Sequence, residues 1–305
     1  MNKYEKQIAE LKDEYENAYN EYVKALNQAY GDAQMHCLAY NDQIARINAS
    51  RDNLLNEISV LYKFLRKFGS LDKKITPFDY VTEKSRFIDK DVLNSSSFEN
   101  KTYSSPGLVK TASVAAMVAA PVILPAIWIG DTLFKRSKDK AELERMTLEF
   151  ENEKNKWSKA LNDKKREGKF YKDAEQIAFL YQSLILTVSA AIKETILPEL
   201  EGIDAFLIAD AIKNSIISDM NPNDAEIEKI DFYRGTIYDC HYTFVMNAFD
   251  YYNTIVTMFT TPILTNIVSD NKVTASEKKE FESQCKLVES KTLELAQISV
   301  FEGEN

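Results

Sequence analysis

Two histidines, His36 and His241, each sit beside a cysteine, Cys37 and Cys240. Cysteine and histidine together are a zinc ligand set, but a zinc site needs ligands spaced on converging elements. Two adjacent pairs far apart in the chain lack that spacing. They are read as partly buried helix positions, and no metal is assigned. Residues 219–223, Asp-Met-Asn-Pro-Asn, begin like a calcium loop. The sixth position of such a loop is Gly and here is Asp224; the twelfth is Glu and here is Ile230. A helix cap at Asn223 or Asp224 is the reading instead. There is no Gly-rich phosphate loop, GxSxG elbow or HExxH. With two histidines in the chain, a histidine-based acid–base mechanism has no support. No catalytic residue, cofactor site or metal site is assigned, and the chain is read as a non-enzyme.

The chemistry the chain does carry is partition between water and hydrocarbon. An apolar segment opens at Leu108 and closes at Phe134, and residues 112–130 hold no charge. Its membrane-insertion candidates are Val114, Met117, Val118, Pro121, Val122, Ile123, Leu124, Pro125, Ile127, Trp128 and Ile129. A membrane helix needs about 20 predominantly apolar residues, and this stretch reaches that threshold. Trp128 lies toward one end, where interfacial rings are found. Pro121 and Pro125 each remove a helix hydrogen bond, at roughly 3 kcal/mol in a helix interior. Four residues apart, they share part of the damage, since Pro125 lacks the N–H that would bond the Pro121 carbonyl. Membrane helices tolerate prolines more readily than soluble ones. The soluble alternative is a central helix wrapped on all sides by longer ones.

Basic residues flank the segment. Lys110 precedes it, and Lys135, Arg136, Lys138 and Lys140 follow, with Lys164, Lys165, Arg166, Lys169 and Lys172 further on. An anionic membrane surface attracts such a cluster; the competing reading is a solvated helix face of mixed charge. A straight helix over 108–134 measures about 40 Å, enough for one crossing. A hairpin turning near Pro121 and Pro125 has arms of about 20 Å, deep enough for one leaflet. The hairpin is preferred because it leaves the flanking helices on one side of the bilayer.

The elements around it are helices. Residues 1–69 form one long coiled-coil helix, with apolar positions stepping by four and three from Tyr4 and Ile8 to Leu65 and Phe68. The steps Ala29, Ala33, Cys37 are a stutter, and Arg51 is the one poor seam residue. Residues 70–105 form a connector. Ser105 and Pro106 start the apolar segment, 106–134. Residues 135–200 form a long charged helix, with Gly168 either breaking it or absorbed, and Pro198 and Gly202 marking a bend. Residues 201–305 form C-terminal helices packing on the bundle: one at about 203–218, an aromatic one at about 224–268 kinked at Pro262, and a last one capped by Thr274 with Glu277. The stripe Tyr238, Tyr242, Val245, Phe249, Tyr252, Ile255, Phe259 is read as a core face. The fold class is therefore all-α, an elongated antiparallel helical bundle with long coiled-coil helices and one apolar helix or hairpin.

Composition agrees. Over 305 residues there are only 8 Gly and 7 Pro, few breakers for a sheet protein. The three cysteines define no disulfide framework. The charged start, MNKYEKQIAELKDEY, lacks the apolar stretch of a secretory signal. Net charge is −9, which argues against nucleic acid as a partner.

Long amphipathic helices carrying one apolar insertion resemble the α-helical pore-forming toxins, in particular the cytolysin A group and its haemolysin relatives. The tongue corresponds to 108–134, and the long helices to 2–69 and 135–200; no residue motif is shared. The connector at 70–105 departs from that plan. Type III secretion translocators have a similar layout. The resemblance implies a chain soluble as made, cytoplasmic or exported without a classical signal peptide. It would later associate with a lipid bilayer and oligomerise there with itself or a related helical subunit. The alternatives are a membrane-anchored coiled-coil adaptor or effector, and a soluble helical scaffold or binding protein.

Overall fold

The computed structural model describes residues 3–68, 74–85, 140–217, 224–261, 264 and 273–298, and every regular element among them is a helix. Helix α1 spans Lys3–Lys67, α2 Tyr80–Ser85 and α3 Lys140–Ala191. A π-helical turn, Ile192–Ile196, leads into α4, Leu197–Ile217; α5 spans Asp224–Thr260 and α6 Ala275–Gln297. The all-α class read from periodicity is the observed one. The short helix α2 lies inside the stretch read as a connector.

Two compact units divide the chain, Met1–Tyr40 with Leu93–Glu175, and Asn41–Val92 with Gln176–Asn305. Both α1 and α3 contribute to each unit.

In the first unit α1 and α3 lie side by side and run in parallel. Glu14 pairs with Lys154 at 3.1 Å, the Tyr22 ring stacks on Trp157 at 5.4 Å, and His36 meets Glu175 at 2.6 Å. Residue numbers rise together on both helices. A parallel pair cannot be closed by a tight turn and needs a long crossover connection; the chain between Lys67 and Lys140 is that connection. Trp157 anchors the core, its ring 5.4 Å from each of Tyr15, Tyr19 and Tyr22. Edge-on and offset aromatic pairs of this kind add roughly 0.5–1.5 kcal/mol each beyond their burial. Burial pushes the Tyr19 phenol up to about 12. The stutter residue Ala33 meets Gly168: a Cβ built on Gly168 would lie 3.6 Å from that of Ala33. Gly168 is thus absorbed within α3, at a place where small residues let the two backbones approach.

In the second unit α1 runs parallel to α3 and its continuation α4, Glu57 accepting from Ser189 of α3 and Asp204 of α4 from Lys67. Helix α5 runs against α1, since Arg51 reaches Phe259 while Tyr62 stacks on Tyr252 at 5.8 Å. Tyr181 of α3 contacts Phe259 of α5 and Phe281 of α6 at 5.6 and 6.2 Å. Of the aromatic stripe on α5, Val245, Phe249, Tyr252, Ile255 and Phe259 are buried, but Tyr242 is 53% exposed. His241 takes the inward position at that turn, edge-on to Phe206 at 4.8 Å. The side chain of Tyr238 is outside the described ones.

Helix ends follow local chemistry. Pro198 has no N–H to give the Glu194 carbonyl, and its ring would crowd that oxygen. The π turn Ile192–Ile196 opens the helix one residue earlier, with the Leu197 N–H donating to the Ile192 carbonyl. The result is a helix running without a break through Leu143–Asn214, with no boundary at 200 or at Gly202. The expected restart at 203 is corrected accordingly. Helix α5 runs to Thr260 and bends at Thr261, where the residue before a proline disfavours helical backbone; Leu264 is helical again, and the rest of the expected continuation to 268 lies outside the described residues. Thr274 and Glu277 form the expected capping box.

Candidate functional site

The apolar segment 108–134, with all eleven insertion candidates from Val114 to Ile129, lies outside the described residues, as do Lys110, Lys135, Arg136, Lys138, Ser105, Pro106 and residues 219–223. Lys140 opens α3, exposed and paired with Glu144 at 3.6 Å. Further along, Lys164 donates to Glu167 at 2.6 Å and lies over the Tyr30 ring, and Arg166 pairs with Asp163 at 3.5 Å. These two basic residues are engaged with acidic neighbours inside the first unit.

The last described stretch before the apolar segment is a strap, residues 74–85, tied onto the second unit. Asn253 of α5 grips its backbone with both amide atoms. Nδ2 donates to the Lys74 carbonyl at 3.0 Å, and Oδ1 accepts from the Thr76 N–H at 2.9 Å. Tyr252 adds a hydrogen bond to the Thr76 carbonyl at 2.7 Å, and Phe78 is buried. Asp79 then caps α2, accepting from the Val81 N–H and the Thr82 hydroxyl. The far end is pinned to α1: Asp52 accepts from the Tyr80 hydroxyl at 2.7 Å and from Lys84 at 2.9 Å. Those hydrogen bonds, Lys84 first, hold the Asp52 carboxyl below its usual range, and Asp52 in turn raises the Lys84 ammonium. The strap leaves little mark in the sequence. Its only local signal is the spacing of Asp79 and Thr82; the gripping residues come from α1 and α5.

Beside the pinned end lies an open cavity of about 480 Å³, bordered by Asn48, Arg51, Leu55 and Val81. Arg51, the poor seam residue, is buried, and its Nη2 donates to the Phe259 carbonyl at 3.2 Å. That oxygen belongs to the last turn of α5, where carbonyls lack helical donors and a cation is favoured. A larger groove of about 650 Å³ runs between α5 and α6, floored by Met258, Phe281 and Val288. The Thr254, Thr257 and Thr261 hydroxyls along it donate to carbonyls of their own helix. Those hydroxyl protons are thereby committed within the helix.

The histidine–cysteine pairs fall one in each unit. The His36 Nδ1–H donates to Glu175, while Cys37 is buried, its thiol pushed up to about 11 by burial and then by Glu167. A thiol so raised is a poor nucleophile and ligand. His241 is buried and Cys240 exposed. No group of three histidine, cysteine or acidic side chains suited to a metal ion is assembled among the described residues.

One described helix, Leu143–Asn214, is long and apolar enough to cross a membrane by length and composition alone. One face of it is core: Ile177, Tyr181, Leu184, Val188 and Ile192 are buried. No family model, curated protein or solved structure matches the chain.

Proposed function

We propose that the chain is a membrane-inserting helical protein of the pore-forming type, soluble before insertion and oligomerising on a bilayer through residues 108–134. The observation that carries this reading is the uncharged run 112–130 with Pro121 and Pro125 inside it. Prolines at those positions disfavour a rigid soluble core helix and are tolerated in lipid.

Dye release from anionic liposomes tests it. The wild-type chain is expected to release dye, and the double change Val122→Asp with Ile123→Asp to abolish release while leaving solubility and helix content unchanged. A double variant that unfolds marks the segment as core, because burying two unpaired carboxylates is costly, and the reading then fails. The chain has two tryptophans, Trp128 and Trp157. Trp157→Phe therefore isolates Trp128, whose emission should shift to the blue on adding vesicles. An unshifted spectrum contradicts insertion.

A further inference from the structure

Helix α3 carries two opposed faces over one uncharged run. One face buries Ile177, Tyr181, Leu184 and Val188 in the core of the second unit. On the other, Phe179 is 57% and Leu186 53% exposed, and Ser183 and Ala190 are exposed as well. Positions 179, 183, 186 and 190 step by four, three and four, the spacing of a coiled-coil seam. Residues 177–192 contain no charged side chain, in a chain that is 28% charged with net charge −9.

We propose that this outer face of α3 is a self-association seam, occupied by the same face of a second copy running antiparallel. Side-chain size selects both occupant and direction. A two-fold axis that sets position 179 across from 190 also sets 183 across from 186. Phe179 then meets Ala190 and Leu186 meets Ser183, and symmetry repeats each contact. Every large side chain faces a small one, which fills the layer at normal density. A parallel, in-register pair would oppose Phe179 to Phe179 and Ser183 to Ser183, crowding one layer and emptying the next.

Charge points the same way. Two acidic copies repel over most of their surface, and this run lets backbones approach without like charges. The exposed Leu287 and Leu293 of α6 offer no such run, since Lys286, Glu289, Lys291 and Glu294 surround them. The Gln176 side chain is held by Lys278, so the seam starts at Phe179. Four seam layers are few against the roughly 1,600 Å² of a standard interface, which makes the dimer reversible and concentration-dependent. Nothing in this inference depends on lipid.

Sedimentation equilibrium on the full chain in buffer, without vesicles, tests it. The wild-type mass should climb from monomer toward dimer with concentration. Phe179→Glu should weaken the association by about tenfold or more, since one unpaired buried carboxylate exceeds the 1.4 kcal/mol that tenfold represents. Its circular dichroism and thermal midpoint should match wild type, because the position is exposed. Direction is read by mild oxidation in a Cys240→Ser background: Phe179→Cys with Ala190→Cys should cross-link into dimers, and Ala190→Cys alone should not. A wild-type chain monomeric to its solubility limit, or a dimer untouched by Phe179→Glu, overturns the proposal. Cross-linking by Ala190→Cys alone overturns the antiparallel pairing.

Discussion

Glycine positions show how finely the helix pair is fitted. Gly31 has open space where a Cβ would go, and Gly168 has ordinary contact distance to Ala33. Alanine at either should stabilise the fold by up to about 1 kcal/mol through helix propensity, read from urea unfolding. Leucine at 168 should destabilise it by about 1–3 kcal/mol, because the approach to Ala33 leaves no room for the larger side chain. His241 gives a pH prediction. Burial holds its imidazole below the ordinary 6.5, so the folded state prefers the neutral ring. The unfolded chain binds the proton first, so stability present above about 6.5 is lost as pH falls below it. His241→Phe should flatten the stability profile between about pH 7 and 5, where carboxylates do not yet titrate. Neither role was legible in the sequence. His241 and Tyr242 compete for one inward direction, and the slow drift of a 3.6-residue helix decides between them. Arg51 reads as a flaw in the seam because its acceptor, Phe259, lies 208 residues further on.

At the scale of elements, the strap is bound mainly by side chains of other helices. Asn253→Ala removes both amide contacts to its backbone, each worth about 1 kcal/mol net. The Thr76 amide should then exchange its hydrogen roughly tenfold faster or more, with the thermal midpoint little changed. Thr274→Ala should lower overall stability by about 1 kcal/mol through loss of the cap. Hydrogen bonds from the Thr274 backbone and hydroxyl hold the Glu277 carboxyl below its ordinary 4.5, so the carboxylate half of the box is present above about pH 4.5 and lost on further acidification. The capping box was fully legible because all its parts lie within four residues. The extent of α1 was legible from its heptads. The parallel course of α1 and α3 was not, because helical periodicity records which face is apolar and not which way the neighbour runs. Nor was the continuity through Pro198, since a π turn leaves no mark in composition.

For the molecule as a whole, the excess of negative charge bears on both proposed encounters, with a bilayer and with a second copy. Raising salt screens that repulsion over a Debye length of about 10 Å at 0.1 M. Self-association should therefore strengthen with salt, whereas binding through the basic flank to anionic vesicles should weaken; sedimentation and vesicle flotation measure the two. The segment proposed to insert was legible as a chemical anomaly, an uncharged run with two prolines. A trigger for insertion was not legible, because local composition does not encode one. One consequence of the parallel pairing concerns birth rather than action. His36 waits for Glu175, 139 residues later, and Glu57 for Ser189, 132 later. At about 5–20 residues per second of synthesis, the first helix leaves the ribosome some 7–30 s before its partner exists. In that interval its tyrosine-rich seam lacks the Phe150 and Trp157 rings that pack on it in the finished chain, so a chain arrested before α3 should aggregate more readily than the full one.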